Sequence, residues 1–519
     1  MTSHPVHRAH GIVHPAFTVG TIDSRLFGSF VEHLGRGVYG GLLDPSHESA
    51  DADGFRTDVL ALVEELGVTT VRYPGGNFVS AYDWRDGIGP VENRPVRLDP
   101  AWHTVEPNRF GIDEFVRWCR AARVEPMMAL NLGTDGIRSA LHLLEYANHP
   151  GGTTLSDERR ANGADEAHDI RLWCIGNEMD GPWQIGHLSA GEYGRLAART
   201  AAAMRALDPD LELIVCGSSN DRMATFGAWE QEVLLHTVEH VDFVSCHQYF
   251  RYDGDLSAFL ASGVAMDRFI TAIADTIGQV RAQRRSERPI AISFDEWNVW
   301  DFVAHDERVA GGLEWEEAPR LLEDRYTAAD AVVVGDMLIS MINRADIVRA
   351  ASMAQLVNVI GPIMTEPDGP AWRQSTFWPF AQARRSAGAT ALRTVVEADS
   401  TGAGDDSAPV LAFAAAAHAD GSLDLMIVNR ATDGVTDTTV DLTSFPTLTV
   451  TEALILRHED PFATNSAELP DTVTPRPLAV ALTDGVLSLR IPAIAWVTVR
   501  LSPTVDRRPG MIGERSWEG

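Results

Sequence analysis

Two segments of this chain decide its predicted fold: residues 173–183, WCIGNEMDGPW, and residues 291–300, AISFDEWNVW. Each places a glutamate, Glu178 in the first and Glu296 in the second, directly after a short apolar run. In a barrel of parallel strands, the residues just beyond the C-terminal strand ends converge on one site. The two glutamates are therefore candidates for an acid and nucleophile pair.

Working outward from these segments, we find further apolar runs separated by longer stretches with helical periodicity. Including the two quoted segments, eight such runs lie near residues 29, 71, 128, 174, 214, 244, 293 and 352. Nearly every run is followed by polar residues, which would face the same end of a barrel or merely cap the next helix. Eight strand-then-helix units in series predict an α/β fold, a (β/α)₈ (TIM) barrel over residues 21–385.

After residue 385 the pattern changes to short alternating runs around Gly, Pro and Asp. This pattern is typical of strands, and it predicts an all-β sandwich domain over residues 386–505. Residues 1–20 are extended in character and could lend that sandwich a strand. Residues 506–519 are predicted to be a flexible tail.

The charge balance limits the possible partners. The chain has 43 basic and 73 acidic residues, a formal net charge of −30. This excess argues against binding to nucleic acid and to anionic membranes, and it fits a neutral or cationic substrate. No run approaches the roughly 20 apolar residues of a membrane span, and the first residues lack the apolar core of a signal peptide. We therefore expect a cytoplasmic protein.

The cysteines and the first histidines do not form recognisable metal sites. The cysteines lie in or beside apolar segments without CxxC spacing, which predicts buried reduced thiols rather than disulfides or zinc ligands. The irregularly spaced histidines near the start predict a mobile or loosely packed arm rather than a metal cluster. These residues are Cys119, Cys174, Cys216 and Cys246, and His4, His7, His10 and His14.

The neighbours of the two glutamates suit the hydrolysis of a glycoside. A retaining glycosidase needs two carboxyl groups about 5–5.5 Å apart, one protonated and one ionised. Asn177 could bond a sugar hydroxyl beside the anomeric carbon, and Tyr249 could orient the nucleophile. Tryptophans near the predicted top face suit the apolar face of a sugar ring, or they pack loops; they are Trp84, Trp102, Trp183, Trp297 and Trp300.

Motifs along almost the whole chain are similar to those of the glycoside hydrolase family 51 α-L-arabinofuranosidases. They are FGSFVEHLGRGVYGG, VRYPGGNFVSAYDWRDGIGP, NHPGG, WCIGNEMDGPWQIGH, HQYF, FDEWNVW and QLVNVIGPIMT, in this order. The resemblance implies retaining enzymes with a (β/α)₈ barrel and a β-sandwich, with Glu178 as acid/base and Glu296 as nucleophile. It also implies a homo-oligomer, often a hexamer.

The resemblance further implies which residues hold the arabinofuranosyl unit: Glu32, Arg72, Asn77, Trp102, Asn177, Tyr249 and Gln355. We add His247 to this binding set, and it is the next candidate for the acid should Glu178 not be. Asp135 departs from the family pattern, in which many relatives have arginine. The acidic loop over residues 301–325 is expected to shape leaving-group preference.

The expected activity is exo-acting release of terminal non-reducing α-L-arabinofuranosyl residues from arabino-oligosaccharides or arabinoxylan fragments. A β-1,4-glucanase or xylosidase specificity on the same scaffold is the alternative within the enzyme class, and a non-catalytic carbohydrate-binding protein is the alternative outside it. A metal-dependent barrel hydrolase would want paired histidines at a strand end, which are missing, so we expect neither metal nor cofactor. A phosphate site at Gly75 and Gly76 is disfavoured, because Glu296 and the acidic loop would repel the anion where barrels usually bind phosphate.

Overall fold

A computed structural model describes residues 5–302, 305–306, 311–312, 314–402 and 407–504. The predicted tail and His4 lie outside these residues. Strands and helices are numbered in chain order. Among the described residues, no helix combines the length and the apolar composition that crossing a membrane requires.

Eight parallel strands form a closed barrel, and each corresponds to one of the eight predicted runs. The predicted fold class is confirmed. The barrel strands are β2 (Gly28–Phe30), β3 (Thr70–Tyr73), β6 (Glu125–Ala129), β7 (Leu172–Ile175), β8 (Glu212–Val215), β9 (Phe243–Phe250), β10 (Ala291–Val299) and β11 (Val348–Ala354).

Helices follow the barrel strands and bury one face against them. Capping boxes fix several starts, as at Ser189 and Glu192 before α5, where side chains satisfy backbone N–H groups that the first turn leaves free. The helices are α1 (Thr57–Leu66), α2 (Ile112–Ala122), α3 (Ile137–Asn148), α4 (Thr154–Ala161), α5 (Ala190–Leu207), α6 (Ala228–Thr237), α7 (Leu256–Leu260), α8 (Ser262–Arg284), α9 (Ala328–Asn343) and α10 (Phe377–Ala383).

Three small two-stranded sheets decorate the barrel and the sandwich. The first follows β3 and carries the segment that contains Trp102. The pairs are β4 (Arg97–Asp99) with β5 (Thr104–Glu106), β12 (Ile363–Thr365) with β13 (Ala371–Arg373), and β15 (Ser400–Thr401) with β16 (Ala408–Pro409).

The remaining strands form one ten-stranded sheet that encloses a second apolar core. The order is β21-β20-β24-β18-β17-β14-β1-β19-β23-β22. Its members are β1 (Val6–Thr21), β14 (Thr390–Ala398), β17 (Leu411–Ala417), β18 (Leu423–Asn429), β19 (Val435–Asp441), β20 (Leu448–Leu456), β21 (Arg476–Pro477), β22 (Val480–Thr483), β23 (Val486–Pro492) and β24 (Ala495–Pro503). The predicted all-β domain is thus a continuous hydrogen-bonded series of strands around its own apolar core, and we call it the sandwich.

Strand β1 joins the two halves of this series. It pairs antiparallel with β14 and parallel with β19. The expectation of a mobile or loosely packed arm is therefore wrong for the described histidines of this segment. His10, for example, bonds the hydroxyl of Thr439 at 2.9 Å. Local sequence showed the extended character of the segment but not its partners, which lie beyond the barrel.

Helix α9 belongs to the barrel and packs against the sandwich, and it is buried along nearly its whole length. Gly335 lies against the ring of Trp496, so closely that a Cβ at this residue would overlap the ring. Arg430 of the sandwich forms a bidentate ion pair with Asp336 of α9, at 2.6 and 2.9 Å, and both side chains are buried. All four cysteines are buried and unpaired, as predicted.

Candidate active site

Glu296 lies near the C-terminal end of β10 and is held by two neighbours. Arg72 Nη1, at the end of β3, donates to Glu296 Oε1 at 2.6 Å. Tyr249 Oη, at the end of β9, donates to Glu296 Oε2 at 3.0 Å. Glu296 is 6% exposed and Arg72 is 1% exposed, so the ion pair is almost completely removed from water. Two fixed donors leave this carboxylate little freedom to rotate.

An irregularity in β10 brings Asp295 into the barrel interior together with Glu296. The register pairs Ser293 with Ser245 and then Glu296 with His247, so β10 carries one extra residue between these pairs. A regular strand would point consecutive side chains to opposite faces, whereas a bulge re-aims one of them. Asp295 Oδ1 accepts from the Ser245 hydroxyl at 2.5 Å, and its carboxylate lies 3.8 Å from Arg72 Nε.

His247 lies between three carboxyl groups. Its Nδ1 is 3.0 Å from Glu178 Oε1 and 3.5 Å from Glu296 Oε2, and its Nε2 is 3.3 Å from Asp295 Oδ1. Burial alone would lower the pKa of His247, but the surrounding carboxylates raise it to about 10. His247 is therefore an imidazolium at neutral pH, and it balances part of the negative charge in the site.

Glu178 follows β7 and is bonded at both of its oxygens. Oε1 bonds His247, and Oε2 accepts from Trp183 Nε1 at 2.6 Å. The backbone of Glu178 has a φ of +43°, an uncommon conformation for a residue with a side chain. Burial raises the pKa of Glu178, and the charge of Glu296 raises it further, although the two hydrogen bonds act in the opposite direction.

The two glutamates face each other across a short gap. One oxygen of Glu178, one of Glu296 and a ring nitrogen of His247 all lie within 4.8 Å of one another. Three such atoms could also bind a divalent cation. His247 would have to give up its proton to bind a metal, because only a neutral imidazole has a free lone pair. The arrangement suits proton transfer and nucleophilic attack better than metal binding.

Glu32, after β2, is the centre of a second group of polar contacts. Its Oε1 accepts from the Phe78 backbone N–H and from Trp102 Nε1, each at 2.9 Å. Its Oε2 accepts from Gln355 Nε2 at 3.1 Å. Burial raises the pKa of Glu32 to about 8, and the charges of Glu296 and Asp99 contribute in the same direction.

Two glycines after β3 allow the chain to pass close to both groups of carboxyls. A Cβ at Gly75 would lie 2.7 Å from Glu32 Cγ, and a Cβ at Gly76 would lie 3.0 Å from Glu296 Oε1. Larger side chains at these positions would displace the carboxyls. The glycines thus leave room for Glu32 and Glu296. This role differs from phosphate binding, which the sequence already disfavours at Gly75 and Gly76.

Two predicted asparagines differ in their surroundings. Asn177 is buried; its Oδ1 accepts from Arg72 Nη2 at 2.6 Å, and its amide donates to Gln184 at 3.3 Å. Asn77 is half-buried at the start of the 3₁₀ helix Asn77–Ala81, and its side chain bonds none of the described residues. Asn177 is therefore fixed within the cluster, whereas Asn77 lies beside Gly76 with its amide free for a ligand.

Aromatic side chains surround the opening of the site. Trp300 packs edge-on against Tyr249, with ring centroids 5.2 Å apart, and stacks on Phe302 at 3.8 Å. His305 lies between the rings of Trp300 and Trp102, at 6.2 and 6.4 Å. The described part of the predicted acidic loop therefore contacts the opening. Trp297, by contrast, is fully buried in the core.

Several other strand-end residues serve local structure. Asn131 accepts from the backbone N–H groups of Gly133 and Thr134 and so stabilises the turn before α3, but it does not cap that helix, which begins after Gly136. Asn298 bonds backbone carbonyls and Tyr326. Asp135 is exposed, and its side chain contacts none of the predicted site residues. The structure thus brings the predicted residues other than Asn77 together in two adjacent bonded groups, one around Glu296 and one around Glu32. It adds Asp295, Trp183 and Gln184 to the first group.

Two family models and several known proteins match this chain. The family model for the alpha-L-arabinofuranosidase 1 domain matches residues 62–292, and that for the alpha-L-arabinofuranosidase C-terminal domain matches residues 295–495. An intracellular exo-alpha-(1->5)-L-arabinofuranosidase from Streptomyces lividans is 49% identical over 97% of this chain and 76% of its own. An exo-alpha-(1->6)-L-arabinofuranosidase from Bifidobacterium longum is also 49% identical, over 94% of this chain and 96% of its own.

Solved structures lead to the same family. A family 51 alpha-L-arabinofuranosidase from Bifidobacterium longum superposes with a TM-score of 0.92 at 46% identity, covering 95% of this chain and 99% of that one. The alpha-L-arabinofuranosidase from Thermotoga maritima, solved as an arabinose complex, has a TM-score of 0.85 at 31% identity, with coverage of 95% and 99%. A barrel with paired carboxyls at its strand ends and these relatives define a glycoside hydrolase. The chain belongs to glycoside hydrolase family 51, the α-L-arabinofuranosidases.

Proposed function

We propose that this enzyme removes terminal non-reducing α-L-arabinofuranosyl residues by a retaining double displacement, with Glu296 as nucleophile and Glu178 as acid/base. The observation that carries the proposal is the short gap between the two carboxyls, which have oxygens within 4.8 Å of each other. Retaining glycosidases have carboxyl groups about 5–5.5 Å apart, a separation that oxygens at this distance fit.

The surroundings of the two glutamates fit different roles. Glu296 accepts a charge-assisted hydrogen bond from the permanently charged Arg72, which holds its carboxyl in place to attack. Burial and the charge of Glu296 raise the pKa of Glu178, which favours a protonated acid before the substrate reacts. The proton passes from Glu178 to the departing oxygen as Glu296 attacks the anomeric carbon. Glu178 then takes a proton from the water that releases the sugar.

The second group of contacts would hold the sugar. Glu32, fixed by Trp102 and Gln355, presents a carboxyl to sugar hydroxyls, and Asn177 and Asn77 present amides. Trp102 supplies an apolar wall. We assign the natural substrates to arabino-oligosaccharides or arabinoxylan fragments, because relatives from several bacteria are named exo-acting arabinofuranosidases.

The test compares Glu178→Ala and Glu296→Ala on two substrates: an aryl arabinofuranoside with a good leaving group and an arabino-oligosaccharide with a poor one. Glu296→Ala should lose activity on both by many thousandfold, since attack is removed. Glu178→Ala should still form the glycosyl-enzyme from the aryl substrate but hardly from the oligosaccharide, since only the latter needs a proton to depart.

The configuration of the product formed with azide tests the same two roles by stereochemistry. With Glu178→Ala, azide should attack the glycosyl-enzyme and give an arabinofuranosyl azide with retained α configuration. An inverted azide, or equal losses on both substrates, would contradict the acid role. Activity above a tenth of wild type in Glu296→Ala would contradict the nucleophile. A panel of nitrophenyl glycosides separates arabinofuranosidase from glucanase or xylosidase specificity, and a carbohydrate-binding protein would release no nitrophenol from any of them.

Cellular location and assembly are part of the same proposal. We place the enzyme inside the cell, since relatives are named intracellular. We also propose a homo-oligomer, with a hexamer as the expected form. Exposed apolar side chains on neighbouring strands β1 and β14, including Ile12, Phe17 and Val395, could be covered in such an assembly. Light scattering of the purified enzyme tests this, and a monomer would contradict it.

A further inference from the structure

The carboxyl of Glu178 accepts hydrogen bonds from two donors of different kinds. The donor at Oε1 is His247, which is buried and charged. The donor at Oε2 is Trp183 Nε1, at 2.6 Å, and it is neutral. Trp183 is 48% exposed, although the Glu178 side chain that it bonds is only 10% exposed. This exposed tryptophan needs an explanation beyond core packing.

The local backbone holds Trp183 over Glu178. The Gly181 N–H donates to the Glu178 carbonyl at 2.8 Å, and the Gln184 N–H donates to the Gly181 carbonyl at 3.0 Å. Two successive turns therefore lead the chain back toward the glutamate. The indole lies directly on Gly181, because an added Cβ there would be 2.5 Å from Trp183 Cε2. Only glycine at residue 181 leaves the indole in this position.

A donor at this oxygen has a defined chemical effect. Hydrogen bonds to an ionised carboxylate are stronger than those to a neutral carboxyl, so the indole N–H favours the ionised form. In the proposed reaction, Glu178 is protonated in the first step and ionised in the second. Burial and the charge of Glu296 both disfavour ionisation. The indole opposes these two influences without adding a charge to the site.

We propose that Trp183 is a positioning residue of this enzyme: its indole N–H orients Oε2 of Glu178 and favours the carboxylate that acts as base in the second step. The inference rests on the proposed acid/base role of Glu178. It predicts that loss of the N–H, with the aromatic ring kept, changes the protonation of Glu178 and slows hydrolysis of the glycosyl-enzyme.

Trp183→Phe is the direct test, because phenylalanine keeps an aromatic face and removes the donor. The alkaline limb of kcat/KM for an arabino-oligosaccharide should move to higher pH by about half a unit or more. For an aryl substrate whose glycosyl-enzyme hydrolyses slowly, kcat and KM should fall together by about tenfold while kcat/KM stays near the wild-type value. A tryptophan that only packs against the sugar would change KM and leave the alkaline limb in place.

Two further variants control the test. Trp372→Phe removes an indole N–H that is buried and bonds nothing in the described part of the chain, and it should leave the pH profile unchanged. Gly181→Ala displaces the indole without removing it, and it should move the alkaline limb in the same direction as Trp183→Phe. Gly181→Ala decides the question if Trp183→Phe does not fold.

Glu178→Gln, measured in parallel, separates this inference from the proposed function. If Glu178→Gln keeps the alkaline limb, the acid assignment itself fails. If Glu178→Gln removes the limb on an activated substrate while Trp183→Phe and Gly181→Ala leave it within about 0.1 pH unit of wild type, the role of Trp183 is overturned and the acid assignment stands.

Discussion

Arg72 and Glu296 form a buried ion pair, with Nη1 and Oε1 2.6 Å apart. The same guanidinium donates to Asn177, the residue before Glu178, at 2.6 Å, and lies 3.8 Å from Asp295. One cation therefore connects β3, β10 and the segment after β7. Arg72 therefore helps, together with His247, to fix the positions of the two glutamates relative to each other.

Loss of Arg72 should therefore reduce both activity and stability. Arg72→Met would leave two buried carboxylates without their cation, which typically costs about 3–5 kcal/mol. We also expect kcat/KM on an aryl arabinofuranoside to fall by about a thousandfold, since the nucleophile loses a fixed partner. Denaturant unfolding and initial rates measure the two effects.

Arg123→Met is the matched control for Arg72→Met. Arg123 pairs with Glu64 at the surface, where the two side chains are 82% and 71% exposed. Its loss should cost about 1 kcal/mol or less and leave kcat/KM unchanged. Equal destabilisation in both variants would show that burial of the Arg72 pair has no energetic consequence.

The stability supplied by His247 should depend on pH. The pKa of this histidine is raised from 6.5 to about 10 in the folded enzyme. A raised pKa contributes stability that is fully present below the unfolded value and is lost as pH rises through the folded value. The melting temperature of wild type minus that of His247→Gln should therefore shrink between pH 6.5 and pH 10.

His458→Gln is the control for this pH series, since the His458 ring bonds the backbone of Asp460 in an exposed turn of the sandwich. The two variants are compared over the same pH range, and the change with pH should belong to His247→Gln. A difference for His247→Gln that is constant, or grows with pH, would mean that the imidazole is neutral in the folded enzyme.

Replacing Glu32 should weaken substrate binding but improve the stability of the enzyme at high pH. Its pKa is raised from 4.5 to about 8, so its contribution to stability is lost as pH rises through that range. Glu32→Gln removes this titration, and its free energy of unfolding relative to wild type should improve from pH 5 to pH 9. Its KM for arabinofuranosides should rise at least about tenfold, because a carboxyl that bonds sugar hydroxyls is lost.

The measurement pairs denaturant unfolding at several pH values with kinetics at one. A relative stability of Glu32→Gln that does not change with pH would mean that Glu32 titrates in its normal range. An unchanged KM would remove Glu32 from the sugar-binding group.

The ion pair between Arg430 and Asp336 should hold the sandwich against α9. Arg430→Met would leave Asp336 buried and without its cation, at a cost of about 3–5 kcal/mol. Because the pair lies at the junction of the domains, we expect the barrel and the sandwich of the variant to unfold at temperatures further apart than in wild type. Calorimetry tests this, and the double variant Arg430→Met with Asp336→Leu should recover most of the loss.

The barrel was predictable because each strand reads as an apolar run with polar residues at its end. The same feature predicts that several polar residues share one site, since parallel strands have their C-terminal ends at one edge. These residues are Glu178, Glu296, Arg72, Asn177 and Tyr249. The periodicity of the chain is sufficient for this prediction, and no knowledge of tertiary contacts is needed.

Asp295 and β1 show where this reasoning stops. Alternation along β10 would place Asp295 outside the barrel, and only the extra residue in the register moves it inward. The strand character of β1 is local, but its pairing with β14 and β19 is not. The same holds for His33, whose ring nitrogens bond Glu106 and Tyr73 from distant parts of the chain. Contacts between residues that are far apart in the chain cannot be predicted from the sequence around either residue.

The place of β1 has a consequence for the order of folding. The strand precedes the whole barrel, whereas both of its partners follow it. During synthesis, β1 leaves the ribosome long before β14 and β19 exist, so it stays unpaired while the barrel forms. The barrel is thus an insertion between neighbouring strands of the sandwich, and the sandwich core closes last. A nascent chain stalled after β11 should expose β1 to proteases although the barrel is already protected.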